Sequence, residues 1–188
     1  MNNFLKKNRN KIIARCKEKV FRRDQRSATD FQLSHGVPLF LDQLVRTLAA
    51  EKNDDSDGSV KISGRPGGDS TALSEIGVSA TAHGKELLDL GYSLDQVVHD
   101  YGDLCQVITD LAFEQNQPFS VDEFRTLNRC LDNSIADSVT AFSLHRDAGI
   151  ARESLADESQ RLGFLAHELR NTLETAMYAV RALELAGR

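Results

Sequence analysis

Apolar positions recur along this chain at the spacings of a helix face. Leu5, Ile12, Cys16 and Val20, with Ile13 and Phe21 widening the stripe, predict a first amphipathic helix. A second is predicted to start near Pro38, since proline suits a first helical turn, and to bury Leu41, Leu44, Val45 and Leu48. Residues 52–70, "KNDDSDGSVKISGRPGGDS", are rich in Gly, Asp and Ser and read as a loop. Helix is expected again over 71–90, where Leu73, Ile76, Ala80, His83 and Leu87 share one stripe. His83 is thereby placed on an apolar face. A histidine there is ordinarily a core residue with one satisfied hydrogen bond; ligand sensing or haem ligation is the chemical alternative.

Gly91 is expected to end that helix, and Ser93 to cap the next, with Gln96 at the capping-box spacing. The stripe that follows is Leu94, Val97, Val98, Tyr101, Leu104, Cys105, Ile108 and Ala112, and His99 falls outside it. Ser120 and Glu123 repeat the capping logic after Pro118. From Val121 a long helix is predicted, with Phe124, Leu127, Leu131, Ile135, Val139 and Phe142 on one face and Gly149 as its main interruption. Beyond Gly149 the spacing tightens to heptads. Leu155, Leu162, Leu169, Ala176 and Leu183 form one seven-residue series; Ser159, Ala166, Leu173 and Val180 form a second, offset by four. These are the d and a seams of a coiled coil or dimeric bundle. An isolated helix cannot bury such a seam, so a homodimer is expected.

Composition agrees with an all-α chain: Leu, Ala, Glu and Arg are abundant, tryptophan is absent, and the 188 residues include three prolines. No apolar run approaches the length of a membrane span, and the charged N-terminus has no apolar signal-peptide core. The three cysteines are widely spaced and form no CxxC pair, as expected of reduced thiols in a cytoplasmic protein. Charge is uneven: residues 1–26 carry ten Lys/Arg against two Asp/Glu, and the rest carry thirteen against twenty-six. A basic helix can meet nucleic acid or an anionic membrane. No DNA-reading motif accompanies it, so docking on the acidic body of its own chain is the expectation, with no nucleic-acid partner.

Candidate chemistry concentrates in "FLAHELRNTL", residues 164–173. Heptad phase makes Ala166 an a position and Leu169 a d position, which puts His167 and Glu168 outside the seam and Asn171 one turn further on the same face. A zinc helix would need HExxH, but position 171 is Asn; a serine hydrolase would need GxSxG, which is missing; and no phosphate-cradling GxxxxGK[ST] occurs. An exposed imidazole beside a carboxylate can act as a nucleophile with its own base.

The stretch resembles the H-box of sensor histidine kinases, a pattern of the type F-x-x-x-H-E-[LF]-[RK]-[NT]-P-L. In that family the helix is the first of a hairpin that dimerises into a four-helix bundle. The resemblance implies that His167 is phosphorylated from ATP held by a C-terminal domain and passes the group to an aspartate of a response-regulator receiver domain. It implies Glu168 as general base, Asn171 as the residue orienting water in the reverse phosphatase reaction, and Arg170 in support. Thr172 stands where the family usually has proline, a residue that commonly bends the helix below the histidine. No asparagine-box or glycine-rich ATP-lid motif occurs, so this chain is expected to be a fragment that is inactive alone. ATP and Mg2+ are expected only for the full-length kinase.

Upstream, "HGKELLDLGYSLDQVVHDYGDLCQVITDLA", residues 83–112, is similar to the helical N-terminal sensor domains of some soluble histidine kinases, related to RsbRD-type stressosome proteins. The resemblance implies a helical sensor domain over residues 1–148, ahead of a signalling helix and truncated phosphotransfer domain over 149–188. Its ligand is not implied. His83, Tyr92, His99, Asp100, Tyr101 and Asp103 are the candidate sensing residues, and Gly149 and Gly163 the expected yielding points of the signalling helix. A non-catalytic, stressosome-like or ligand-binding dimerisation module is the alternative.

Overall fold

The computed structural model describes residues 1–22, 30–68 and 72–186, of which 30–35, 173 and 175–186 are described by their backbone alone. All regular structure among them is helical. The helices are α1 (Asn2–Phe21), α2 (Asp30–Lys52), α3 (Ser56–Ser63), α4 (Glu75–Asp89), α5 (Leu94–Glu114) and α6 (Val121–Ala186), with a short 3-10 turn at Pro66–Gly68. Contacts divide the chain into two units, Met1–His145 and Arg146–Arg188. No helix among the described residues is long and apolar enough to cross a membrane.

The first unit is built by burying one stripe of each helix. α1 packs on α2 and α5, and α2 packs on α3 and α4. Leu5 and Ile12 of α1 meet Leu41 and Leu44 of α2, Ile76 of α4, Ile108 and Leu111 of α5, and Leu127 of α6. Each such side chain contributes about 1.5–3 kcal/mol on leaving water. A smaller cluster joins Leu87, Tyr92, Val97 and Phe142. The basic first helix is paired with acidic residues of its own chain. Arg9 donates to Asp42 at 3.2 Å, Arg15 grips Glu114 with two bonds of 2.6 and 2.7 Å, and Lys19 lies 3.9 Å from Asp103.

Local signals set the helix ends. Ser93 accepts from the Gln96 backbone N–H at 3.3 Å while the Gln96 side chain accepts from the Ser93 N–H at 2.9 Å. Ser120 and Glu123 form the same reciprocal pair at 3.1 Å. Gly91, at φ 78°, follows the end of α4 in the left-handed conformation that favours glycine.

Four expectations need correction. α2 begins at Asp30, and Pro38 lies inside it. Proline there leaves one backbone acceptor without its helical donor, yet the burial of Phe40, Leu41, Leu44 and Leu48 beyond it holds the element together. The presumed loop at 52–70 contains α3, capped by Asp55, whose carboxylate accepts from the Gly58 N–H at 2.9 Å. α4 starts at Glu75, not at residue 71. Ser74 caps it by accepting from the Gly77 N–H, and Leu73 lies outside it, exposed. Finally, α6 runs unbroken through Gly149, the expected interruption, since a lone glycine costs a helix only about 1 kcal/mol.

In the second unit every side chain described from Ala151 onward is exposed. Leu155, Leu162 and Leu169 expose 66%, 61% and 64% of their surface, so the d seam is uncovered in the single chain. The side chains of Leu173, Ala176, Val180 and Leu183 lie outside the described residues, as do Arg23 and Arg26 of the basic segment.

Candidate functional site

The first candidate site is a patch on α6. His167, Glu168, Arg170 and Asn171 are all exposed. Thr172 keeps the backbone N–H that a proline would lack, and its hydroxyl donates to the Glu168 carbonyl at 2.8 Å. The helix therefore continues through this position with its turn reinforced from the side chain. The imidazole is exposed among the described residues, so a large partner can reach it. The carboxylate next to it supplies a proton acceptor, and the amide one turn on can hold an oxygen or a water.

The second site lies inside the first unit. α2, α4 and α5, with Ser134 of α6, enclose a cavity of about 190 Å³. Three candidate sensing residues, His83, Asp100 and Tyr101, line it together. The His83 side chain is 21% exposed. Its ring stands edge-to-face on Tyr101, with centroids 6.4 Å apart and planes at 87°. On its other side it rests against α2 at Gly36, where a Cβ would come within 3.2 Å of the ring. Burial holds the His83 pKa below the ordinary histidine value and so favours the neutral ring. Glu86 approaches to 4.0 Å, too far for a hydrogen bond, and no described residue hydrogen-bonds the imidazole.

Tyr101 is fixed in a short chain. The Ser138 hydroxyl donates to the Ala80 carbonyl at 2.9 Å, so its single proton is committed and the Tyr101 hydroxyl, 2.7 Å away, is the donor to Ser138. Burial pushes the Tyr101 phenol up to about 12, which keeps that donor proton in place. α4 reaches this hydroxyl because Gly84 has no side chain: a Cβ there would lie 2.2 Å from the Ser138 carbonyl oxygen.

The other candidate sensing residues are elsewhere. Tyr92 is buried in the smaller apolar cluster. His99 is on the surface, 3.3 Å from Asp95 of its own helix. Asp103 is buried on the side of α5 that faces Lys19 of α1. Sequence reasoning missed Gly36, Glu86, Ser134 and Ser138. Glu86 carried a signal, standing one turn after His83. Ser134 and Ser138 lie between the apolar positions of α6 that were read as its face, and the structure buries both. Among the described residues no group of three or more His, Cys, Asp or Glu could hold a metal ion.

Comparison of this chain with protein-family models, with curated proteins and with solved structures finds no match.

Proposed function

We propose that this chain is the sensor and phosphoacceptor portion of a cytoplasmic, homodimeric two-component histidine kinase. The observation that carries the reading is the H-box-like stretch on one unbroken helix, with His167, Glu168 and Asn171 exposed beside an uncovered seam of heptad leucines. A ring nitrogen of His167 attacks the γ-phosphorus of ATP, and the bond to the leaving ADP oxygen breaks. Glu168 takes the proton from the other ring nitrogen. The phosphoryl group then moves to a receiver-domain aspartate. Asn171 orients the water that hydrolyses it in the reverse direction, and Arg170 supports the helix surface around them. A second copy of the chain covers Leu155, Leu162 and Leu169, which share one stripe at heptad spacing. Signal reaches His167 as a small rotation or shift of α6, with Gly149 and Gly163 as the yielding points.

The test uses the full-length protein, with an ATP-binding domain in cis, labelled ATP and Mg2+. Wild type should take up acid-labile, base-stable label. His167→Ala, at an exposed position, should fold normally and take up none. Label retained in that variant removes the phosphoacceptor assignment and leaves a dimerising scaffold or ligand-binding module in which His167 is dispensable.

A further inference from the structure

The cavity around His83 has a chemistry that restricts what can occupy it. Its walls are largely apolar, from Val37, Leu39 and Phe40 of α2 and Leu104 of α5. A space of about 190 Å³ accommodates a single six-membered ring; an apolar cavity of about 150 Å³ is enough for benzene. A haem macrocycle does not fit.

The polar groups on its walls are nearly all acceptors. Tyr101 and Ser134 have spent their hydroxyl protons, on Ser138 and on the Cys130 carbonyl at 2.8 Å, and keep lone pairs. Glu86 and Asp100 add two carboxylates. The neutral His83 ring has one nitrogen that accepts and one that donates. No lysine or arginine is among the described lining residues.

The His83 side chain is 21% exposed, and no described residue hydrogen-bonds its ring, so its nitrogens are open to a molecule in the cavity. Gly36 and Tyr101 pack against this ring and fix its place in the cavity wall.

We propose that this cavity is a binding site for a small aromatic amine, a single ring carrying one protonated nitrogen. The ring fills the apolar wall between α2 and α5. The ammonium donates to the accepting nitrogen of His83 and lies in the field of Glu86, 4.0 Å from that ring. Binding here does not require His167 to be a phosphoacceptor, and its failure would leave that assignment untouched.

The test is calorimetric titration of the whole chain with benzylamine, benzyl alcohol and benzoate, three probes of one size and different charge. Benzylamine should bind most tightly and benzoate most weakly. Benzylamine should also shift the ring-nitrogen resonances of His83. His83→Phe keeps a ring and removes both nitrogens; it should weaken benzylamine by about tenfold or more. Ala82→Leu fills the exposed mouth of the cavity without touching its buried wall and should abolish binding, which decides the matter even if His83→Phe does not fold. The proposal is overturned if no probe binds at millimolar concentration, if benzoate binds as well as benzylamine, or if Ala82→Leu binds like wild type.

Discussion

Two glycines of similar sequence setting have opposite structural roles. A Cβ on Gly84 would sit 2.2 Å from the Ser138 carbonyl oxygen, a backbone atom that cannot move aside without α6. Gly84→Ala should therefore force α4 and α6 apart and cost about 1–3 kcal/mol, read as a lower denaturant midpoint. Gly102, inside α5, has no atom of a described residue within 4 Å of the same added atom. Gly102→Ala should stabilise by about 0.5–1 kcal/mol, because it only removes backbone freedom from the unfolded chain. An equal loss from both substitutions would mean that the close crossing at Gly84 is not there. Cysteine chemistry is also decided residue by residue. Burial pushes the Cys16 and Cys130 thiols up to about 12, so neither has appreciable thiolate at neutral pH.

Among the elements, α3 depends least on apolar burial. Its inward residues are Ser59 and Ser63, and both hydroxyls accept from Arg129 of α6, at 3.0 and 3.1 Å. Glu51 of α2 completes the cluster by pairing with Arg129 and accepting from Thr126 and Ser59. Burial alone would raise the Glu51 pKa; the hydrogen bonds from Thr126, Arg129 and Ser59 outweigh it and hold the carboxyl below its ordinary value. Arg129→Met should cost about 2 kcal/mol and raise amide exchange across residues 56–63 ahead of the rest of the first unit. Uniform exchange would show that α3 is held by something else. This dependence is also why α3 was hidden in the sequence. Ser59 and Ser63 make no apolar stripe, and the glycines and aspartates around them carry the composition of a loop. The caps at Ser93 and Ser120 were legible for the opposite reason, since each is a bond between residues three apart that needs no tertiary partner. α6 lies between these cases. Its heptads are written plainly, but its buried face in the first unit runs through Ser134 and Ser138, which hydropathy scores as surface.

At the scale of the whole molecule, His83 makes stability depend on pH. Burial lowers its folded pKa beneath the ordinary value of 6.5. Between the two values the unfolded chain binds a proton that the folded one refuses. Stability is thus fully present above about pH 6.5 and declines as pH falls toward the folded value. Tyr101 stands edge-on to the ring and Asp100 lines the same cavity, while Glu86 at 4.0 Å does not offset the desolvation. Chemical denaturation at pH 7.5 and 5.5 should show this loss in wild type and a smaller one in His83→Phe. An identical loss in both would place the sensitive group elsewhere. The site was half legible: periodicity put His83 and Tyr101 on their apolar stripes, but which stripes met could not be read without the glycine and hydroxyl contacts that set helix spacing. Three helices share the single oxygen of Ser138: α5 gives it a proton, α6 owns it, and α4 takes its proton at a carbonyl that has none to return. The donors run one way, so a guest that diverts the Tyr101 proton unties α5 from α6 and leaves the bond from Ser138 to α4 in place.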